Sequence, residues 1–182
     1  MKISRILCLF LLSSPLFMGG VGCQKVREPV PILTQAQWQR IQENLLDEVP
    51  EMDHPIHAVF GDIIELLGYD LTPGDRIEAG EEFTITWYWR VLEATDDRWE
   101  IFCHLDSATP HRQNLDHEMV NGLYASVYWE PGQIIQDTQT STLERAFNAS
   151  TVNMFIGLWR PHDGARMMLT DSGQAEAATG EG

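Results

Sequence analysis

The sequence predicts an all-β protein: an antiparallel immunoglobulin-like β-sandwich of about seven or eight strands, preceded by one amphipathic helix. Three observations predict it. Phe83-Thr84-Ile85-Thr86-Trp87-Tyr88-Trp89-Arg90-Val91 alternates residue by residue and contains no Gly or Pro, the period of a strand with one face on a core. Further short runs of apolar or alternating residues are separated by turn signals: Thr72-Pro73-Gly74-Asp75, Ala79-Gly80, Ala94-Thr95-Asp96-Asp97, Pro131-Gly132 and Pro161-His162-Asp163-Gly164. No helical pattern lies between these runs, which argues for antiparallel pairing rather than strand-helix-strand crossovers.

With 182 residues, 43% of them hydrophobic, the chain is sized for one domain around one core. Its formal charge is −15. Loss of a leader carrying Lys2 and Arg5 would leave about 10 basic residues against 27 acidic ones, or about −17. Such a surface repels nucleic acid and anionic headgroups, so nucleic-acid binding is excluded. The acidic residues are scattered rather than gathered in one block, and their ordinary role is solubility.

At the N-terminus, Lys2 and Arg5 precede an apolar run from Ile6 to Met18, followed by Gly19-Gly20-Val21-Gly22-Cys23. The run is short for a permanent membrane helix and reads as a secretory leader over residues 1–22, an address rather than part of the fold. Small residues before a cysteine resemble the bacterial lipobox, which implies lipid attachment at Cys23. Gly20 stands where the lipobox carries an aliphatic residue. Gln24 is not the Asp that implies inner-membrane retention, so the resemblance points to the outer membrane. Residues 23–33, with Pro29 and Pro31, read as an extended tether.

Thr34 has the character of a helix N-cap, and Trp38, Ile41, Leu45 and Val49 recur at near-helical spacing up to Pro50. An amphipathic helix is therefore expected over residues 34–50. It carries Arg40 as its only basic residue, which argues against a role on an anionic membrane surface. Strands are expected near 58–60, 63–71, 83–91, 99–107, 133–140, 152–160 and 166–169, within a sandwich over residues 57–170. Trp87, Trp89, Trp99, Ile101, Leu105, Met154, Ile156 and Leu158 should face its core. Residues 171–182 are polar, small and acidic without an apolar period, and a disordered tail is expected.

Of three cysteines, Cys8 falls in the leader and Cys23 in the lipobox, leaving Cys103 in the folded part. It shares a strand face with Trp99, Ile101 and Leu105, so a buried inert thiol is expected.

Several motifs follow one another in a recognisable order: Ile64-Glu65-Leu66-Leu67-Gly68-Tyr69-Asp70-Leu71, Pro73-Gly74-Asp75, Thr86-Trp87-Tyr88-Trp89-Arg90, Ile101-Phe102-Cys103-His104-Leu105, Asp116-His117, Asn121-Gly122-Leu123-Tyr124, Trp129 to Ile135, and Gly157-Leu158-Trp159. Over residues 57–170 this succession resembles an uncharacterised bacterial β-sandwich module found in envelope lipoproteins and appended to membrane glycosyltransferases. The resemblance implies a sandwich and brings no catalytic residues with it. Cys103 departs from the aliphatic residue the module carries there, and 145–151 lacks its Pro-Gly turn.

No nucleophile elbow, phosphate-binding loop, dinucleotide fingerprint or His-Glu-x-x-His occurs, so the chain reads as a non-enzyme with no cofactor. His104, Asp106 and His117 are weak candidates for a metal, since His104 and Asp106 share a strand face. The more informative feature is the outer face of the predicted sheet as a whole. With Trp87, Ile101 and Ile156 inward, Tyr88, Phe102, Phe155 and Trp159 point outward and form a candidate binding face. The helix, an envelope protein or a stacked glycan could cover it. The sequence thus suggests a lipid-anchored, non-catalytic binding or assembly module of the bacterial envelope. The alternatives are a carbohydrate-binding module using Tyr88 and Trp159 with Tyr124 or Tyr128, and an envelope metallohydrolase using His104, Asp106 and His117.

Overall fold

A computed structural model describes residues 2–10, 32–108 and 110–179. The expected leader after Phe10, the expected lipid-attachment residue Cys23, the expected tether up to residue 31 and the last three residues of the tail lie outside the described residues. In chain order the elements are β1 (Lys2–Phe10), α1 (Gln35–Gln42), β2 (Leu45–Leu46), β3 (His54–Phe60), β4 (Ile64–Thr72), β5 (Glu82–Val91), β6 (Glu100–Asp106), β7 (Arg112–Asn114), a single turn α2 (Met119–Gly122), β8 (Ile134–Thr142), β9 (Thr151–Trp159), β10 (Leu169–Asp171) and β11 (Glu176–Thr179). They form an all-β sandwich preceded by a helix. A six-stranded sheet runs β10-β3-β4-β5-β8-β2, and a five-stranded sheet runs β11-β1-β9-β6-β7.

The alternating stretch is the centre of the larger sheet. β5 pairs antiparallel with β4 on one side and β8 on the other, from Glu82↔Thr142 to Arg90↔Ile134. Phe83, Ile85, Trp87, Trp89 and Val91 all enter one core, with Trp87 and Trp89 fully buried. From the opposite sheet come Trp99, Ile101, Cys103 and Leu105 of the β6 strand and its approach, and Val152, Met154, Ile156 and Leu158 of β9. The period of two therefore fixes which face is inside, because one slip would turn every one of these side chains to water.

Six of the seven expected strands coincide with observed ones, the expected 166–169 meets β10 (Leu169–Asp171) only at Leu169, and β1, β2, β7 and β11 are additional. The helix is shorter than the expected 34–50. Thr34 caps it as a capping box: Gln37 N–H donates to the Thr34 hydroxyl at 3.3 Å, and Thr34 N–H donates to Gln37 Oε1 at 2.9 Å. It stops at Gln42, where the Asn44 side chain donates to the Arg40 carbonyl at 2.8 Å. The chain then extends, and Leu45 and Leu46 pair with Ile135 and Ile134 of β8. The physical reason is that strand geometry sends these two leucines to opposite faces. Leu45 packs on the main core, whereas Leu46 packs beside Tyr88.

Residues 171–182 also differ from expectation as far as residue 179. Leu169 and Asp171 pair with β3, Gln174 N–H donates to the Ile56 carbonyl at 2.7 Å, and Glu176–Thr179 pairs with β1. These are backbone contacts, which need no apolar period and so leave no trace in it. Lys2–Phe10, read from the sequence as lying outside the fold, is here a strand parallel to β9 and β11. The run has neither Pro nor Gly through Phe10, so it can extend along any open edge.

Candidate binding face

On the outer side of the smaller sheet, alternation brings Phe102, His104 and Asp106 of β6 beside Phe155, Gly157 and Trp159 of β9. The register sets Phe102 opposite Gly157 and His104 opposite Phe155. Beyond Trp159 the chain turns back through Pro161-His162-Asp163-Gly164. Asp163 accepts from Arg160 Nε and Nη2 at 3.2 and 2.7 Å, and Gly164 supplies the positive φ of 70° that the turn requires. The return strand is held by Arg160 N–H to the Ala165 carbonyl at 2.8 Å and Met167 N–H to the Leu158 carbonyl at 2.9 Å, which sets Arg166 beside Trp159.

Arg166 then lies on the aromatic face. Its guanidinium carbon is 3.8 Å from the Phe102 ring centroid and 5.7 Å from that of Trp159. On the other flank the His104 ring stands 4.0 Å from Phe102. A cation and an imidazole thus cover Phe102, which is only 3% exposed, while the helix sends Ile41 into the main core and sets Trp38 against Tyr128.

Arg166 Nη1 is buried and has no hydrogen-bond partner among the described residues, and neither ring nitrogen of His104 has one. Asp116 Oδ1 is 3.3 Å from His104 Nε2, an ion-pair distance without hydrogen-bond geometry, and that oxygen is held by Cys103 N–H at 2.8 Å. Burial lowers the pKa of Arg166, the charge of Asp116 raises it, and the like charge of Arg112 lowers it, with a net downward shift. Arg112 itself is closed into a two-pronged pair with Asp106 at 2.8 and 2.9 Å. The Trp159 indole N–H is also unpartnered, but so are those of the core residues Trp87, Trp89, Trp99 and Trp129. The weight therefore rests on Arg166 and His104.

Phe102, Phe155 and Trp159 share this face as expected from the sequence, with Phe155 and Trp159 half-buried. Tyr88 does not join them. It sits on the outer side of the opposite sheet, 8% exposed, packed with Leu67, Ile134, Leu46 and Met52, and its hydroxyl donates to Asp70 Oδ2 at 2.8 Å. Burial first, then that hydrogen bond and nearby carboxylates, push its hydroxyl up to about 12. The alternation correctly turns both Tyr88 and Phe102 away from the core, but a sandwich has two outer faces and the two residues are on different ones. Tyr124 is buried too, donating to Gln133 Oε1 at 2.6 Å, while Tyr128 meets Trp38 edge-on at 5.3 Å.

The metal candidates are separated. His104 faces Asp116 and Phe102, Asp106 binds Arg112, and His117 turns inward to β8. Among the described residues no three His, Cys, Asp or Glu side chains gather in a metal-holding group.

His117 instead holds the loop before Asn121-Gly122 by hydrogen bonds, the structural role its sequence position also suggests, through a buried polar lock with Asp137, a partner that the sequence reading missed. Its Nε2 is 2.7 Å from Asp137 Oδ2 and its Nδ1 is 2.8 Å from the Leu115 carbonyl. Both partners are acceptors, so the ring satisfies both only with a proton on each nitrogen, as an imidazolium. Burial pulls its pKa down, but the hydrogen bond and charge of Asp137, then Leu115 and Asp116, outweigh it and the net shift is upward. Asp137, 0% exposed, also accepts Val120 N–H at 2.8 Å, fixing a turn in which Val120 and Asn121 adopt left-handed backbone at φ 55°. The signal was available: Ile135, Asp137 and Gln139 alternate on the inward side of β8, and a carboxylate there must find a partner. Arg166 was legible in principle as well, since the Pro-His-Asp-Gly turn brings it opposite Trp159.

No helix among the described residues is long and apolar enough to cross a membrane. Comparison of the chain with protein-family models, curated proteins and solved structures finds no match.

Proposed function

We propose that the mature chain is a lipid-anchored, non-catalytic β-sandwich of the bacterial cell envelope. It is held at the outer membrane through Cys23 and binds a partner through the outer face of β7-β6-β9. The observation that supports the binding reading is Arg166: a guanidinium stacked between Phe102 and Trp159 with a buried N–H that no acceptor among the described residues meets. Arg166 is only partly buried, so a partner offering a carboxylate, phosphate or carbonyl oxygen can approach its guanidinium. A rotation bringing Nη1 to that oxygen would recover the about 1–3 kcal/mol that an unsatisfied buried donor costs. The anchor rests on the small residues before Cys23. The glycan alternative is weaker on this face, because Arg166 already lies against the rings a sugar would stack on. For the metallohydrolase alternative, no ligand set gathers among the described residues.

Two measurements test the proposal. Cys23→Ser should move the protein from the membrane fraction to the soluble envelope fraction; unchanged membrane retention counts against the anchor. A photo-crosslinking residue at Phe155 should yield a discrete adduct in intact envelopes that disappears with Arg166→Gln, whereas one at exposed Glu93, away from this face, should not. Equal adducts at both positions, or adducts indifferent to Arg166→Gln, reject the binding face.

A further inference from the structure

We infer that the edge of β9 from Thr151 to Ile156 is a strand-accepting site, which takes up an extended, predominantly apolar segment of a partner protein running parallel to β9. The inference rests on the proposed removal of residues 1–22.

β9 is paired on one side along its length, from Asp106↔Asn153 to Glu100↔Trp159. On its other side the chain's own return strand covers only the far end, through Trp159↔Arg166 and the Met167-to-Leu158 hydrogen bond. The chain then departs to the opposite sheet, where Leu169 pairs with Phe60. The remaining edge is filled by β1, from Lys2↔Thr151 to Cys8↔Ile156, with one irregularity between Ile3 and Arg5. When the leader goes, Thr151-Val152-Asn153-Met154-Phe155-Ile156 is left with a row of open backbone donors and acceptors. It has no Pro and no charge, two of the devices by which exposed edges are ordinarily protected.

The slot has two sides. β11 pairs in parallel with β1 from Leu7↔Glu176 to Phe10↔Thr179, so an inserted strand gains ladder bonds from β9 and from β11. β11 cannot simply close the gap. Shifting it by one strand spacing, about 4.8 Å, would pull on the preceding turn. That turn is fastened to β3 by Gln174 N–H on the Ile56 carbonyl and by Gly173 lying directly against the Ile56 and His57 carbonyls. A second copy of the chain is the wrong occupant too. Two β9 edges related by a two-fold axis would pair antiparallel, whereas this slot is set for a parallel strand flanked by another parallel strand. The sequence that fills it, Lys-Ile-Ser-Arg-Ile-Leu-Cys-Leu-Phe, indicates the chemistry accepted: extended, mostly apolar and free of Pro and Gly.

The test uses the mature lipoprotein purified from membranes in detergent, with its N-terminus read by mass. The probe is a synthetic peptide of the sequence of residues 2–10. Backbone amides of residues 151–156 that do not point at β6 should exchange quickly in the mature protein. The peptide should slow them by about tenfold or more, and the same peptide with Ile6→Pro should not. If the leader is absent yet these amides are already protected, or the peptide leaves them unchanged, the strand-accepting site is overturned while the anchor stands. Protection that appears with protein concentration alongside a dimeric mass assigns the edge to a second copy and also overturns it. A mass showing residues 1–22 retained overturns both this inference and the anchor.

Discussion

Replacing Asp137 by Ala removes the carboxylate that joins β8 to the turn carrying His117 and Val120. The Ala variant leaves a buried imidazolium without its counter-ion and the Val120 N–H without its acceptor. Breaking one side of a buried, hydrogen-bonded pair costs about 3–5 kcal/mol, and the orphaned amide is part of that figure rather than an addition to it. Against a total stability of about 5–15 kcal/mol, the Ala variant should be close to unfolding. Asp137→Asn separates charge from shape. Its oxygen still accepts Val120 N–H, and its amide can donate to a neutral His117 whose Nδ1–H remains on Leu115. The cost should be about 1 kcal/mol, the difference between a charge-assisted and a neutral hydrogen bond.

The two variants also differ in pH dependence. His117 has a folded-state pKa raised above its ordinary 6.5, so the folded protein holds this proton more tightly than the unfolded chain. Its stabilisation is complete below pH 6.5 and is lost as pH rises through the raised value. Urea unfolding followed by tryptophan fluorescence at pH 6 and pH 8.5 should show wild type losing stability across that interval relative to Asp137→Asn, the comparison cancelling groups common to both. A cost below about 1 kcal/mol for Ala, or an Asn variant with the wild-type slope, would refute the buried-lock argument.

Gly173→Ala should destabilise the fold by about 1–3 kcal/mol, because Gly173 has a φ of +54° and an added Cβ would collide with the Ile56 and His57 carbonyls. An unchanged urea midpoint would mean that the turn after β10 does not pack on β3. Trp89→Ala, at a fully buried position beside Phe60, should cost about 3–5 kcal/mol in the same assay. Cys103 should resist iodoacetamide at pH 8 in the native protein and react in urea, since burial first and the charges of Asp116 and Asp137 next push its thiol up. Labelling of the native protein at the rate of a free thiol would contradict its placement in the core.

The strands and their inward faces were legible because a half-buried strand needs an alternation that few other structures produce. Phe83 to Val91 and Val152 to Leu158 carry it plainly. The helix was half legible. Its capping box at Thr34 and Gln37 is a local device, but its end depended on Leu45 and Leu46 finding β8, which lies far along the chain. β11 and β1 were not legible as strands, since their partners are backbone edges that any extended segment can meet.

For the binding face, the sequence by itself determined that Phe102, Phe155 and Trp159 turn outward, because alternation relative to a buried neighbour is a local property. It could not determine which outer face Tyr88 occupies, for that depends on how two sheets stack. Only the tertiary structure placed Tyr88 under Leu46 and Met52, carried Arg166 over Phe102, and drew His104 and His117 apart to opposite sides of one strand layer. The physical reason is common to all three. Alternation sets the direction of a side chain, whereas register and sheet stacking set its neighbours, and these follow from backbone pairings between distant residues that leave no periodic mark in the chain.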